Sequence, residues 1–291
     1  MNQLKTAFWL TLLTVLLLAA GKALGGQAGL MFALVFAVLA NATAYFFSDS
    51  IVLGMYGARV VSEDEAPELH AIVRQIARVA QLPMPRVAVI ESAAPNAFAT
   101  GRNPSHAVVA VTTGLVGLLS RDELSAVLGH EMGHVKNRDI LISSIAAVLA
   151  GAISMLADMA RWAFMFGSHR SSDDEEGAGN AGGALLMMFL APVAAFLVQT
   201  AVSRSREFLA DEAGARFSGK PMALARALQK LEMAATHVPL GASPATAHLF
   251  IVNPLTGGGF LSLFSTHPST ADRVEALERL AMEMGTVRSE A

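Results

Sequence analysis

The chain has 291 residues, 53% of them hydrophobic and only 15% charged, with a mean hydropathy of +0.48. Soluble domains average about 25% charged residues, so this composition excludes a disordered chain and argues against a wholly soluble one. The balance of 21 Lys and Arg against 24 Asp and Glu leaves no basic footprint for nucleic acid, and the lack of cysteine excludes disulfides, iron–sulfur clusters and thiolate metal sites, so any metal must rest on His, Asp or Glu.

Two uncharged apolar runs open the chain, Thr6 to Ala20 and Gly29 to Phe47, with Lys22 in the short connector. A bilayer core takes about 20 apolar residues of helix, which the second run meets and the first approaches. The first run also has the form of a secretory signal, but an apolar run that follows at once favours a hairpin partner. Residues 1–47 are therefore expected to form an N-terminal transmembrane hairpin.

Residues 48–139 begin with a linker and read as the first part of an aqueous domain. Ala66 to Gln81 has apolar side chains at helical spacing, with Pro67 in the first turn. Val87 to Ile90, Asn96 to Thr100 and Ala107 to Thr112 read as short strands, the last two joined by a turn holding Gly101, Asn103 and Pro104. A helix then starts at Arg121, with Asp122 and Glu123 where the helix dipole favours acids.

That helix carries His130-Glu131-Met132-Gly133-His134. Two His four residues apart share one helix face and can reach one ion, and Glu131 beside them can take a proton from a metal-bound water. A catalytic zinc needs a third protein ligand and an open position.

The third and fourth apolar runs, Ile140 to Ala157 and Ala184 to Val202, predict a second transmembrane hairpin over 140–202. Buried helices of a soluble domain are the competing reading. The acidic, Gly- and Ser-rich connector 166–183 holds Asp173, Asp174, Glu175 and Glu176 and reads as a solvated loop. Lys136, Arg138, Arg204, Arg206 and Arg216 flank these runs on the opposite side, which makes 48–139 and 203–291 the positive and hence cytoplasmic side.

Residues 203–291 predict three helices, Arg204 to Phe217, Met222 to Ala235 and Ala271 to Met284. The first holds Glu207, the candidate third ligand, and one turn later Asp211, which can accept a hydrogen bond from a ligating His. An isolated Glu here would be read as a surface acid paired with Arg204. Its depth argues otherwise: His134 lies six residues before the third run, about 9 Å of helix, and Glu207 five residues after the fourth, about 7–8 Å. An antiparallel hairpin of these runs would bring both motifs to one height above the lipid. Asp139, nine residues after His130, is expected to mark the interface rather than to orient a ligand.

With these motifs the chain resembles the HtpX-type bacterial membrane zinc metalloproteases, and more distantly the CAAX prenyl endopeptidases of the same peptidase family. The resemblance runs from the paired N-terminal spans to His267, and it pairs the His130–His134 helix with the Glu207–Asp211 helix. It implies an α-helical membrane protein of four transmembrane helices with a zincin-like α+β aqueous domain and a small edge β-sheet. It further implies one Zn2+ per chain on His130, His134 and Glu207, with Glu131 as general base.

The resemblance also makes Asn96 and Ala97 candidates for substrate binding on an edge strand, where an extended peptide pairs through its main chain and Asn96 adds a side-chain contact. Phe98 is expected in the core. His267 and Arg273 are candidates to approach the oxyanion of the reaction, against a reading in which Ser269 simply caps a helix.

The expected substrates are misfolded or damaged membrane proteins, or unfolded polypeptide, met at the cytoplasmic face of a bacterial inner membrane under envelope stress. Prenylated substrates are set aside, because the prenyl endopeptidases have more spans than this chain. The rival from another class is a metal-binding membrane scaffold or transporter without hydrolysis, which would have no need of Glu131.

Overall fold

The computed structural model describes residues 2–148, 204–237, 249–251 and 268–286. Helix α1, Asn2–Phe46, breaks at Gly26, whose φ of 57° and ψ of −136° are not helical. The two halves face each other across a hydrogen bond from Asn41 Nδ2 to Thr14 Oγ1 of 2.8 Å. Among the described residues one stretch, Gly26–Phe46, is long and apolar enough to cross a membrane. Most of the third run and all of the fourth lie outside the described residues.

The expected linker after Phe47 is helical instead: α2 spans Ser48–Met55 and buries Val52 and Leu53 against the sheet. There follow β1 (Arg59–Val60), α3 (Pro67–Ala80), β2 (Arg86–Ile90), β3 (Ala97–Thr100), β4 (Val108–Thr112), α4 (Thr113–Leu118) and α5 (Arg121–Lys136). Residues 140–148 are helical and are labelled α6, and α7 (Arg204–Ser218), α8 (Pro221–His237) and α9 (Thr270–Glu283) complete the described chain. The described residues are thus mostly helical with one small mixed sheet, ordered β1-β2-β4-β3, in which β2 and β4 are parallel and the other pairings antiparallel.

Side chains alternate between the two faces of a strand. Here both faces are buried, so the strands read as apolar throughout. Val87, Ala97, Ala99, Val109 and Val111 face α3 and α5 in the larger core. Ala88, Ile90, Phe98, Val108 and Ala110 face α2, Leu249 and Ala147 of α6 in a second core. Phe98 is a core residue as expected, 2% exposed and 5.1 Å from the Tyr56 ring between centroids.

Helix α5 is fixed at its start by a capping box between Ser120 and Glu123. Such a pair satisfies two of the free amides that every helix start leaves. Glu123 also takes Lys230 of α8 at 2.7 Å, which ties α5 to the C-terminal helices. Turn Gly101–His106 rests on the end of α1: the Arg102 guanidinium donates to the Phe46 carbonyl and lies 5.6 Å from its ring centroid.

Candidate metal and catalytic site

The site forms where α5 and α7 touch along their main chains. Gly129, Gly133 and Gly214 make this possible: a Cβ on Gly129 would come within 2.9 Å of the Gly214 carbonyl oxygen, and one on Gly133 within 3.2 Å of the Ala210 Cα. Ala126, Ala210 and Ala215 are fully buried in the same seam. The contact between the two motif helices is therefore direct, and rests on small residues.

The seam brings His130, His134 and Glu207 together, with one ligand atom from each within 4.8 Å of the others. The His130 and His134 Nε2 atoms are 3.2 Å apart. His130 Nε2 lies 3.8 Å from Glu207 Oε2, and His134 Nε2 lies 3.5 Å from Glu207 Oε1. Zinc bonds of about 2.0–2.1 Å at tetrahedral angles would set such atoms about 3.3–3.4 Å apart. The donor set and its spacing therefore fit a zinc ion.

Each imidazole is held from behind by a carboxylate, and each carboxylate by an arginine. His130 Nδ1 lies 2.8 Å from Asp211 Oδ1, and Asp211 takes both Nε and Nη2 of Arg273, at 2.7 and 2.6 Å. His134 Nδ1 lies 3.3 Å from Asp139 Oδ2, and Arg206 lies 3.5 Å from Asp139 Oδ1. With Nδ1–H donating to a carboxylate, the Nε2 lone pair of each ring is left for a metal. Four buried carboxyl groups, Glu131, Asp139, Glu207 and Asp211, stand against two guanidiniums, so the pocket is rich in acidic groups and suits a cation.

The charges act on one another. Burial pushes the Glu131 carboxyl up from its ordinary value, against the pull of the two imidazoles and with the Glu207 carboxylate adding to the rise. Its carboxylate also accepts a hydrogen bond from the Ala99 amide of β3. Burial depresses His134, but the hydrogen bond to Asp139 and the charges of Glu207, Glu131 and Asp139 outweigh it and raise the imidazole to about 9. Burial likewise works against ionised Asp211, yet the Arg273 charge and the hydrogen bonds from Arg273 and His130 hold it below the usual carboxylate range.

Three expectations change. Asp139 does not merely mark an interface. Arg138 takes a left-handed φ of 58°, which ends α5 and turns the chain back so that the Asp139 amide reaches the His134 carbonyl at 2.9 Å and its carboxylate the His134 ring. Arg273 is not placed for an oxyanion. It is 2% exposed, and its nitrogens are taken up by Asp211 and by the Ile251 carbonyl at 2.7 Å, on the Nδ1 side of His130.

The Asn96 side chain is engaged with segment 249–251, donating to the Leu249 carbonyl and accepting from the Ile251 amide, each at 3.4 Å, so the expected side-chain contact to substrate is instead an internal one. Ala97 stays on the outer strand β3. Ser269 caps α9, its hydroxyl accepting from the Asp272 amide, and His267 lies outside the described residues. Gly214, three residues after Asp211, and the pairing of Arg206 with Asp139 beyond its place as a flanking cation are features that only the structure brings out.

Comparison with known proteins gives a consistent picture. Residues 63–281 match the model of peptidase family M48. The chain is 55% identical over 285 residues to the protein named Protease HtpX homolog of Pyrococcus abyssi, covering 98% of each chain. It is 53% identical over 280 residues to that of Syntrophobacter fumaroxidans, covering 96% of this chain and 99% of the relative. Among solved structures it resembles Ste24p of S. mikatae, with a TM-score of 0.52 at 19% identity, over 95% of this chain and 65% of that one.

Proposed function

Because the chain belongs to peptidase family M48, we propose that it is a membrane-embedded, zinc-dependent endopeptidase that cleaves misfolded or damaged membrane proteins at the cytoplasmic face as part of envelope stress control. The observation that carries this reading is the convergence of His130 Nε2, His134 Nε2 and a Glu207 carboxylate oxygen, with each imidazole anchored through Nδ1 and Glu131 beside them. A transport or scaffold site would need the three ligands but not Glu131, a carboxyl beside them that is not one of the ligands.

Zinc held by His130, His134 and Glu207 would polarise the scissile carbonyl and lower the pKa of a water toward neutral. Glu131 is the group placed to take a proton from the attacking water and would hand it to the leaving amine, a role suited to a carboxyl whose burial raises its proton affinity. His130 and His134 are kept in the ligating tautomer by Asp211 and Asp139. Arg273 holds Asp211 in place and keeps it charged.

The substrate lies along the outer edge of β3. The Thr112 amide bonds the Asn96 carbonyl, so in this antiparallel ladder residues 96, 98 and 100 pair with β4 and the main-chain groups of Ala97 and Ala99 face away from it. Both residues are buried and the Ala99 amide is on Glu131, so a substrate pairing there has to take the place of what covers them. An extended peptide adds to such an edge by main-chain hydrogen bonds, in sequence-tolerant fashion. That tolerance suits a protease acting on unfolded segments. The cytoplasmic side is supported by Lys136, Arg138, Arg204, Arg206 and Arg216 around the third and fourth runs.

The test is cleavage of an unfolded model protein by purified full-length enzyme and by Glu131→Gln, at equal zinc content. The reading expects the wild type to cut and the variant to hold zinc without cutting. Zinc bound by both with cleavage by neither, across several unfolded membrane and soluble substrates, would overturn it.

A further inference from the structure

One end of the β-sheet lies against the exit of the apolar stretch Gly26–Phe46. In the ladder Arg86, the first residue of β2, pairs with Val108, the first of β4, and Val108 pairs with Thr100, the last of β3. Neighbouring strands lie about 4.8 Å apart, so this row spans about 10 Å. The Arg86 amide bonds the Ala107 carbonyl at 3.0 Å, which ties the row to the turn Gly101–His106. Both arginines at this end reach back to the exit of the apolar stretch. Arg102 donates to the Phe46 carbonyl at 3.3 Å, and the Arg86 guanidinium pairs with Asp49 in the first turn of α2.

The same end touches a second apolar segment. The Thr100 hydroxyl lies 2.8 Å from the Ser144 hydroxyl of α6, where the third apolar run begins. The outward side chains of α1 and of the residue after it are apolar: Phe36, Leu39, Phe46 and Phe47 are each more than half exposed. Soluble proteins rarely leave so long an apolar surface open to water. Lipid against α1 therefore ends beside Phe46 and Phe47, at the level of Arg102 and Arg86.

Both guanidiniums are presented outward. The Arg86 side chain is 49% exposed and that of Asp49 15%, so the cation faces out and its partner acid faces in. Arg102 is held in place by a relay. Nδ1 of His106 donates to Asn103 Oδ1 at 2.9 Å, which leaves Nε2 to accept from Arg102 Nη2 at 2.6 Å. A guanidinium has five N–H groups, and the contacts to Phe46 and His106 take two. Its planar fork matches the oxygens of a phosphate. Exposed Met84, two residues before Arg86, adds an apolar side chain beside the cations.

We infer that this end of the sheet, with Arg102 and Arg86 as its cations, rests on the membrane surface and binds the phosphates of anionic lipid headgroups. The contact fixes the height of the sheet over the lipid at the end of α1. It rests on the membrane part of the proposed function and not on hydrolysis.

The experiment uses the full-length enzyme in a neutral detergent, titrated with phosphatidylglycerol or phosphatidylcholine, with bound lipid counted per chain by native mass spectrometry. The wild type is expected to hold phosphatidylglycerol about tenfold more tightly or better. A basic residue near an anionic surface contributes about fivefold in affinity. Arg102→Gln should therefore weaken phosphatidylglycerol about fivefold, and the double variant with Arg86→Gln about 25-fold, with phosphatidylcholine unchanged. Arg279→Gln, an equally exposed arginine on α9, should bind as the wild type does. Inorganic phosphate at the lipid concentration should not displace the lipid.

Equal affinity for the two lipids, undiminished binding by the double variant, an equal loss in Arg279→Gln, or displacement by inorganic phosphate would overturn the inference. Arg86→Gln decides the matter if Arg102→Gln does not fold. An enzyme that cuts no substrate but keeps this lipid preference would leave the inference standing, whereas a chain that stays in solution without detergent or lipid would remove both it and the membrane reading.

Discussion

Gly214 of α7 lies against the main chain of His130: a Cβ at Gly214 would come within 2.6 Å of the His130 amide nitrogen and 3.0 Å of the Ala126 carbonyl oxygen. The glycine therefore sets how closely the helix bearing Glu207 can approach the helix bearing the two His. Gly214→Ala must push these helices apart, and the backbone atoms it meets cannot swing aside. We expect a loss of about 1–3 kcal/mol in stability from overpacking. Because Glu207 sits two turns earlier on the same helix, zinc affinity should fall as well. Competition with a metal chelator checks this, and Gly117→Ala, a helical position where no atom lies within 4 Å of the added Cβ, serves as the control.

The two carboxylates behind the imidazoles differ in what they leave behind when removed. Replacing a partner that orients a metal-bound His typically costs 10- to 100-fold in metal affinity. Both Asp139→Asn and Asp211→Asn are expected in that range. Only Asp211 is also the bidentate partner of a guanidinium that is 2% exposed. Breaking such a buried pair by deleting one member costs about 3–5 kcal/mol. Asp211→Ala should therefore lower the thermal midpoint of the metal-free protein well beyond Asp139→Ala, as read by thermal unfolding.

The raised His134 ties metal binding to pH. Its imidazole sits near 9 in the metal-free protein, above the ordinary 6.5. A metal ligand must be unprotonated. Below about pH 9 zinc therefore displaces a proton from His134, and zinc affinity rises with pH up to that point. Calorimetry at pH 7.5 in buffers of different ionisation heat should report about one proton released per zinc. The stability contribution has the opposite sense. Because the folded-state value lies above the unfolded one, His134 stabilises the metal-free fold fully below pH 6.5, and the contribution is lost as pH rises through about 9.

Glu123 predicts a separation of stability from function. Its carboxylate closes the capping box with the Ser120 amide at 2.8 Å and binds Lys230, yet it lies seven residues, about 10 Å, along α5 from His130. Glu123→Ala should cost about 0.5–2 kcal/mol through the lost cap. Lys230, partly exposed, can return to water. Zinc content and kcat should stay near wild type. A parallel fall in zinc content would show that α5 frays as far as the site.

What the sequence discloses here is what short-range spacing encodes. Helices α3, α5, α7, α8 and α9 fall within a few residues of their expected bounds because their apolar positions repeat at helical spacing and their ends carry caps or prolines. The two His declare themselves because i and i+4 share a helix face. Glu207 is legible only through its placement relative to the apolar runs.

The rest depends on contacts distant in sequence or on unusual backbone. Asp139 meets His134 because Arg138 adopts a left-handed turn that residue type does not announce. Asn96 reaches Leu249 across 153 residues, and Arg273 reaches His130 across 143. The parallel pairing of β2 with β4 is equally invisible, since strands buried on both faces lose the alternation that marks an exposed one.

The central claim is that one zinc on His130, His134 and Glu207 drives peptide hydrolysis by this chain. The most direct measurement is a zinc titration of the metal-free full-length enzyme, with cleavage of an unfolded protein and bound zinc followed together. The account predicts activity rising in step with bound zinc and saturating at one ion per chain, with Glu207→Gln binding zinc far more weakly and regaining little activity. Cleavage that is unchanged without metal, or a Glu207→Gln enzyme with wild-type affinity and rate, would contradict it.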